Sequence, residues 1–260
     1  MNTGIRSVSR IAVAVCVLAP LDALAQATPA SGWPQHSMDR PRPPVVDPGP
    51  APLSGRAPSD AIVLFDGRHL SEWIAADSSA AKWKVKAGYM EVVPKGGGIV
   101  SRRAFGDMQL HIEWATPAPP HGEGQERGNS GVFLMGRYEI QVLDSYKNDT
   151  YPDGQAAATF GQVPPFVNAS RPPGQWQSYD IVFRRPRFNA DGSLARPGRV
   201  TVLHNGVLVQ DNTELMGPTT YMRRTPYAAH PDKLPLALQD HEMRVRFRNI
   251  WVRELAETRD

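Results

Sequence analysis

The chain has almost no cysteine: one residue in 260, Cys16. That residue lies in a segment that reads as a signal peptide (1–25). Arg6 and Arg10 precede a short apolar run, Ile11 to Pro20, and Ala23-Leu24-Ala25 forms a small-x-small cleavage pattern before Gln26. Val15 stands where a lipid-modified cysteine wants a small neighbour, so the expectation is a soluble periplasmic or secreted protein. A mature chain beginning near Gln26 has no cysteine left, which excludes disulfides, thiolate metal sites and a cysteine nucleophile. Long apolar runs are also missing. The N-terminal one is shorter than the roughly 20 residues a membrane helix needs, so no membrane span is expected. There is no convincing amphipathic helix, no phosphate-binding glycine loop, no H-E-x-x-H and no dinucleotide fingerprint. Neither sign of charge dominates: 29 Lys and Arg stand against 26 Asp and Glu. The densest basic spots are Arg223-Arg224 and the alternating Arg244, Arg246 and Arg248. The second reads as one solvated strand face, and no nucleic acid partner is expected.

Proline and strict alternation are what the chain does have. Nine prolines crowd residues 26–59: Pro29, Pro34, Pro41, Pro43, Pro44, Pro48, Pro50, Pro52 and Pro58. This Pro-rich linker reads as a tether, as a strap with Trp33 and Val45-Val46 docking, or as a disordered segment. From Asp60 onward, short runs alternate apolar and polar residues: AIVLFDG, WKVKAGYMEVV, LHIEWAT, VFLMGRYEIQVLD, QSYDIVFRRPRF, LPLALQD and VRFRNIWVREL. RVTVLHNGVLVQDN is a hairpin turning at Asn205-Gly206. VFLMGRYEIQVLD is either two strands or one bent strand. The prediction for residues 60–256 is an all-β antiparallel sandwich or barrel.

Six stretches in order, LFDGRHLSEW, LHIEW, GNSGVFLMGRYEIQVLDSY, GQWQSYDIVF, VTVLHNGVLVQDN and LALQDHEMRVRFRNIWVREL, resemble the 3-keto-disaccharide hydrolase family, also catalogued as domain of unknown function 1080. The resemblance implies a concanavalin A-like jelly-roll sandwich of two antiparallel sheets. It also implies cleavage of glycosides whose sugar is oxidised at C3. Glu242 departs from the family pattern, in which glycine often follows the histidine corresponding to His241. The loop His121 to Gly128 is longer than usual.

The residues that carry chemistry lie near Glu139-x-Gln141-x-x-Asp144. Strand parity puts Arg137, Glu139 and Gln141 on one face, whereas Asp144 joins them only through a bulge. The spacing is similar to the paired-acid signature of laminarinase-like glycosidases. A retaining glycosidase needs two carboxyl groups about 5–5.5 Å apart, and here the middle acid is an amide. The bland reading is a solvated face with an Arg137–Glu139 ion pair. Glu113 shares its face with His111, and Gln239 shares its face with His241. The expectation is a cleft in which Glu139, Gln141 and Asp144 face Glu113, Gln239 and His241. Glu139, His241, Glu113 and Asp144 are then the candidate catalytic groups. Asn129, Ser130, Arg137, Gln141 and Gln239 are the candidates for binding substrate. Asn129-Ser130-Gly131 reads as a polar turn, and HGEGQERG as a lid or a mobile loop. No cofactor is certain; a divalent metal ion could be held by Glu113, Glu139 and His241.

Three functions fit. The first is an exported hydrolase or lyase acting on 3-keto-glycosides. A C3 ketone acidifies the C2 proton, a base removes it, the C1 substituent leaves and water adds back. Its partner is a carbohydrate substrate, and a separate sugar 3-dehydrogenase must supply the ketone. The others are a lectin-like binding module and a conventional two-carboxylate glycoside hydrolase.

Overall fold

A computed structural model describes Met1, residues 32–50 and residues 55–257. The signal peptide with its cleavage pattern and Cys16 lies outside the described residues, as does part of the Pro-rich segment.

Fifteen strands are described: β1 (Ile62–Phe65), β2 (Trp73–Ala75), β3 (Lys84–Lys86), β4 (Tyr89–Glu91), β5 (Ile99–Phe105), β6 (Met108–Ala115), β7 (Ser130–Leu134), β8 (Tyr138–Val142), β9 (Gln177–Arg184), β10 (Arg187–Phe188), β11 (Leu194–Arg196), β12 (Arg199–His204), β13 (Val207–Glu214), β14 (Leu234–Leu238) and β15 (Arg246–Glu254). An eight-stranded sheet runs β13-β12-β9-β6-β15-β4-β3, with β1 also on β15. A five-stranded sheet runs β2-β5-β14-β7-β8. All the strand pairs are antiparallel. The two sheets pack face to face as a jelly-roll sandwich.

Alternation explains which side chains meet. Leu110, Ile112 and Trp114 of β6 and Tyr179, Ile181 and Phe183 of β9 point inward from the large sheet. Tyr138, Ile140 and Val142 of β8 point inward from the small one. Across the interface the Tyr138 and Phe183 rings lie 5.9 Å apart, and Tyr179 Oη donates to Gln141 O at 2.7 Å. The intervening residues of each strand must therefore lie on the outer faces.

Two hairpins set the strand registers. Asn205 and Gly206 have φ of 54° and 82°, the left-handed pair a two-residue turn requires. VFLMGRYEIQVLD is two strands, β7 and β8, turning at Met135-Gly136 with φ of 55° and 63°. The expected polar turn at Asn129-Ser130-Gly131 is not one: Ser130 opens β7, and Gly131 pairs with Gln141. The described part of the Pro-rich segment lies on the domain. Val45 bridges Asn168 in parallel, and Arg40 Nη1 donates to Gln162 O at 3.0 Å. The side chains of Val45 and Val46 point to solvent, so it is backbone that docks there.

Candidate active site

On the outer face of the five-stranded sheet, β8 presents Glu139 and Gln141, β7 presents Gly131 and Phe133, and β14 presents Ala237 with Gln239 just beyond its end. Glu139 is 5% exposed. Among the described residues its carboxyl has no ion pair and no hydrogen bond, with Arg137 or anything else. Burial alone pushes it up to about 8. A carboxyl buried without a partner gives up its charge rather than bear the cost of desolvation. Gly131 makes the space: a Cβ there would overlap Glu139 Oε1 and lie 2.8 Å from the Phe133 ring.

Amides line the same face. Gln141 Nε2 donates to Gln125 Oε1 at 2.9 Å, leaving Gln141 Oε1 buried with no partner. Asn129 Nδ2 donates to Gln125 O at 2.8 Å. Gln239 N donates to Gly131 O, and Gln239 Oε1 is again buried and unpartnered. Unfilled amide acceptors beside a neutral carboxyl suit a ligand rich in hydroxyl groups. Ser130 does not belong to this group. Its parity turns it inward, it is fully buried, and Oγ donates to Gln239 O at 2.7 Å. It clips β7 to β14 and is not placed to touch a ligand.

The structure does not bring the expected cleft together. Glu113 lies on the outer face of the eight-stranded sheet, opposite in sense to Glu139, because Ile112 and Trp114 on either side of it fill the shared core. Arg248 Nε donates to Glu113 Oε2 at 2.6 Å and Asn249 Nδ2 to Oε1 at 2.9 Å. Burial would raise this carboxyl, but hydrogen bonds from His111, Asn249 and Arg248 outweigh it and hold it at about 2. Burial would likewise lower His111, yet its bonds to Asp180 and Glu113 raise it to about 9. This is a structural ion cluster. Arg248 also stacks on Trp176 at 4.1 Å, and Arg246 on Trp176 and Tyr89, so the expected solvated arginine face is occupied by its own neighbours.

Asp144 follows β8 without a bulge to return it to the Glu139 face. Its Oδ2 accepts from Arg127 Nε at 2.8 Å and its Oδ1 from Tyr146 N at 3.2 Å. Burial pushes its carboxyl up, and Arg127 offsets part of that. It lines a separate cleft of about 190 Å³ with His121, Arg127, Glu242 and Arg244. His241 is half-buried and makes no hydrogen bond among the described residues. Glu242 beside it has φ of 61°, the left-handed region where glycine is easiest, and donates its N–H to Asp240 Oδ1 at 2.8 Å. The loop thus keeps a glycine-like backbone without the glycine. Glu113, Glu139 and His241 do not converge. Among the described residues no group of three His, Asp or Glu side chains is placed to hold a metal ion.

Sequence reasoning missed Tyr151 and Gln125. Burial raises the Tyr151 phenol most, and the charges of Tyr221, Asp153 and, last, Glu139 add to it. Gln125 comes from HGEGQERG, which forms a short 3₁₀ turn (Gly124–Glu126), and Gln125 Nε2 reaches Thr150 Oγ1 and Gly154 O. Neither residue has strand periodicity to mark it. The one available signal was Gly131, a glycine inside an apolar strand, which commonly means that something approaches closely.

Residues 60–253 match a family described as the 3-keto-alpha-glucoside-1,2-lyase-like domain. A crystal structure of a "putative glycosyl hydrolase" from Parabacteroides distasonis ATCC 8503 is 46% identical, with a TM-score of 0.75 over 83% of this chain and 93% of that one. A second protein of the same description and organism is 18% identical, with a TM-score of 0.53 over 76% and 94% of the two chains, a likeness of fold alone. No curated protein matches the sequence. With most of its length inside the matched span and its sandwich shared with a close structural relative, the chain belongs to the 3-keto-alpha-glucoside-1,2-lyase-like family.

Proposed function

We propose that this protein is an exported carbohydrate-active lyase or hydrolase that cleaves the glycosidic bond of 3-keto-glycosides, with Glu139 as the group that moves the proton. The observation that carries the reading is Glu139 itself, buried, unpaired and pushed up to about 8. Such a carboxylate is a far stronger base than an ordinary one, and its strength suits a C2 proton made acidic by a neighbouring ketone. Glu139 takes the C2 proton and the electrons form C2=C3 with the negative charge on the C3 oxygen; the enolate then collapses, restoring C3=O and forming C1=C2 as the C1–O bond breaks. Glu139 then gives its proton to the departing oxygen, and water adds to the unsaturated sugar. Tyr151, kept protonated by burial, donates to the developing enolate oxygen. Gln141, Gln239 and Asn129 orient hydroxyl groups.

A binding module gains nothing from a carboxyl held neutral without partners, which favours turnover over lectin-like binding. The tie of Asp144 to Arg127 disfavours a two-carboxylate glycosidase. The ketone must come from a separate sugar 3-dehydrogenase. Arg6, Arg10 and Ala23-Leu24-Ala25 support export, and the exported protein should begin at Gln26.

The test is incubation of the purified protein with 3-keto-glycosides and their parent glycosides, with and without chelator, followed by mass spectrometry. Only the keto forms should be cleaved, and deuterium at C2 should be lost. If Glu139 is the base, kcat/KM should rise with pH toward about 8. Retention of C2 deuterium, or cleavage of the parent glycosides at equal rates, would overturn the elimination route.

A further inference from the structure

Residues 32–40 precede the matched family span, yet they reach the surroundings of Glu139. His36 is 7% exposed at its side chain. Its ring lies 4.2 Å from the Tyr151 ring and 5.0 Å from that of Phe160. Both neighbours border the site: Phe160 N donates to Glu139 O at 3.2 Å, and the Tyr151 ring packs on Gly154, whose O accepts from the Gln125 that also binds Gln141. The adjacent Gln35 donates from Nε2 to Thr220 O at 3.0 Å, while Thr219 Oγ1 accepts from Glu139 N at 3.0 Å. The strap thus packs on residues that bond to the Glu139 backbone, through Phe160 on one side and the Thr219-Thr220 segment on the other.

His36 is held in an unusual state. Its backbone has φ of 60°, a left-handed conformation that persists only where the surroundings enforce it. Asp153 enforces it. Asp153 is wholly buried, its Oδ2 accepts from His36 N at 3.0 Å, and its Oδ1 lies 3.5 Å from His36 Nδ1. Neither His36 Nδ1 nor Asp153 Oδ1 makes a hydrogen bond, so the acid holds His36 by its backbone N–H and stands at ion-pair distance from the ring. His36 Nε2 remains buried without a partner.

We propose that the Asp153–His36 pair is a positioning device of the catalytic site: the strap presses the His36 ring against Tyr151 and so fixes the phenol beside Glu139. The inference rests on the roles given to Glu139 and Tyr151 above. The catalytic unit then begins in the Pro-rich segment and not at residue 60.

The test uses the full chain with His36→Ala, His36→Phe and Asp153→Asn, and has two arms. In the first, kcat and KM are measured on a 3-keto-glycoside. His36→Ala and Asp153→Asn should each lower kcat by about 10- to 100-fold, the usual cost of losing a group that orients another. KM should change little, and His36→Phe, which keeps a packed ring, should recover most of the loss. Tyr151→Phe combined with His36→Ala should cost little more than Tyr151→Phe alone, because the two residues act as a unit. The second arm is independent of activity. With 3-fluorotyrosine incorporated, the ¹⁹F signal assigned to Tyr151 should move on Glu139→Gln, and His36→Ala should shift it and abolish that response. A wild-type protein inactive on every keto-glycoside would refute the reaction, and the fluorine arm would still decide the positioning. An unchanged Tyr151 signal in both His36 variants, or additive losses in the double variant, would overturn the proposal.

Discussion

Glu139 and Glu113 are the same residue type in equivalent settings. Each lies mid-strand on the outer face of a sheet, flanked in sequence by residues that fill one core, and each is nearly buried. Yet one is raised to about 8 and the other lowered to about 2. The difference lies in their neighbours. Arg248, Asn249 and His111 surround Glu113, so every oxygen is satisfied and the charge stays. Glu139 has beside it a glycine, a phenylalanine ring and Gln141, whose donor is spent on Gln125. Burial of a carboxylate is therefore no guide to function; burial without a partner is, because it costs stability that only a task repays.

The largest effect expected from this contrast comes from Glu139→Gln, which keeps shape and removes basicity. Turnover of a 3-keto-glycoside should fall by about 100- to 10,000-fold, the range for a lost general base. The same variant should be more stable than the wild type at neutral pH. A carboxyl raised from 4.5 to about 8 in the folded state favours folding below pH 4.5, and that advantage is lost as pH rises toward 8. At about 1.4 kcal/mol per pH unit, the wild type should lose several kcal/mol across that interval. Urea unfolding at pH 5 and pH 8 should show this slope in the wild type and its absence in the variant. Equal slopes would mean that Glu139 is paired in solution, and the contrast with Glu113 would collapse.

Glu113→Gln should behave in the opposite way. Its depressed carboxyl contributes stability that is present above pH 4.5 and lost as pH falls toward 2. His111, raised to about 9, contributes stability that is full below 6.5 and lost as pH rises through 9. Removing the Glu113 charge takes one carboxylate contact from Arg248, which is itself 32% exposed, so the loss should be about 2 kcal/mol and not the 3–5 of a sealed pair. Activity should be unchanged. A large fall in kcat with the fold intact would place Glu113 in the catalytic machinery after all.

How much of this contrast was legible beforehand follows from what parity can say. Alternation correctly separates Ile112 and Trp114 from Glu113, and Ile140 from Glu139 and Gln141, and the Asn205-Gly206 turn marks a hairpin the structure contains. Parity within a strand does not say which sheet the strand joins. Two outward acids in a sandwich can share a face or lie on opposite ones, and only the strand order β2-β5-β14-β7-β8 puts Glu139 and Glu113 apart. Partners from loops are equally silent: Arg127, Gln125 and Tyr151 have no period, and their reach depends on loop paths. His36 is harder still, since nothing in a run of prolines announces that its histidine packs against the site.

The smallest effect tests the space and not the charge. Gly131 is a strand glycine, and replacing such a residue by alanine should ordinarily help, since glycine costs roughly 0.5–1 kcal/mol of conformational entropy. Here the added methyl would overlap Glu139 Oε1 and crowd the Phe133 ring at 2.8 Å. Gly131→Ala should therefore destabilise by about 1–2 kcal/mol, as overpacking does. Much of that penalty comes from the Glu139 side chain, so it should shrink in a Glu139→Ala background. The two single variants and the double, unfolded in urea at one pH, should show a coupling of about 1 kcal/mol between the two sites. Glu113→Ala should show no such coupling with Gly131→Ala, because its strand lies in the other sheet. Additivity with Glu139→Ala would mean that the carboxyl does not occupy the space beside Gly131, and the packing that keeps it from partners would have to be sought elsewhere.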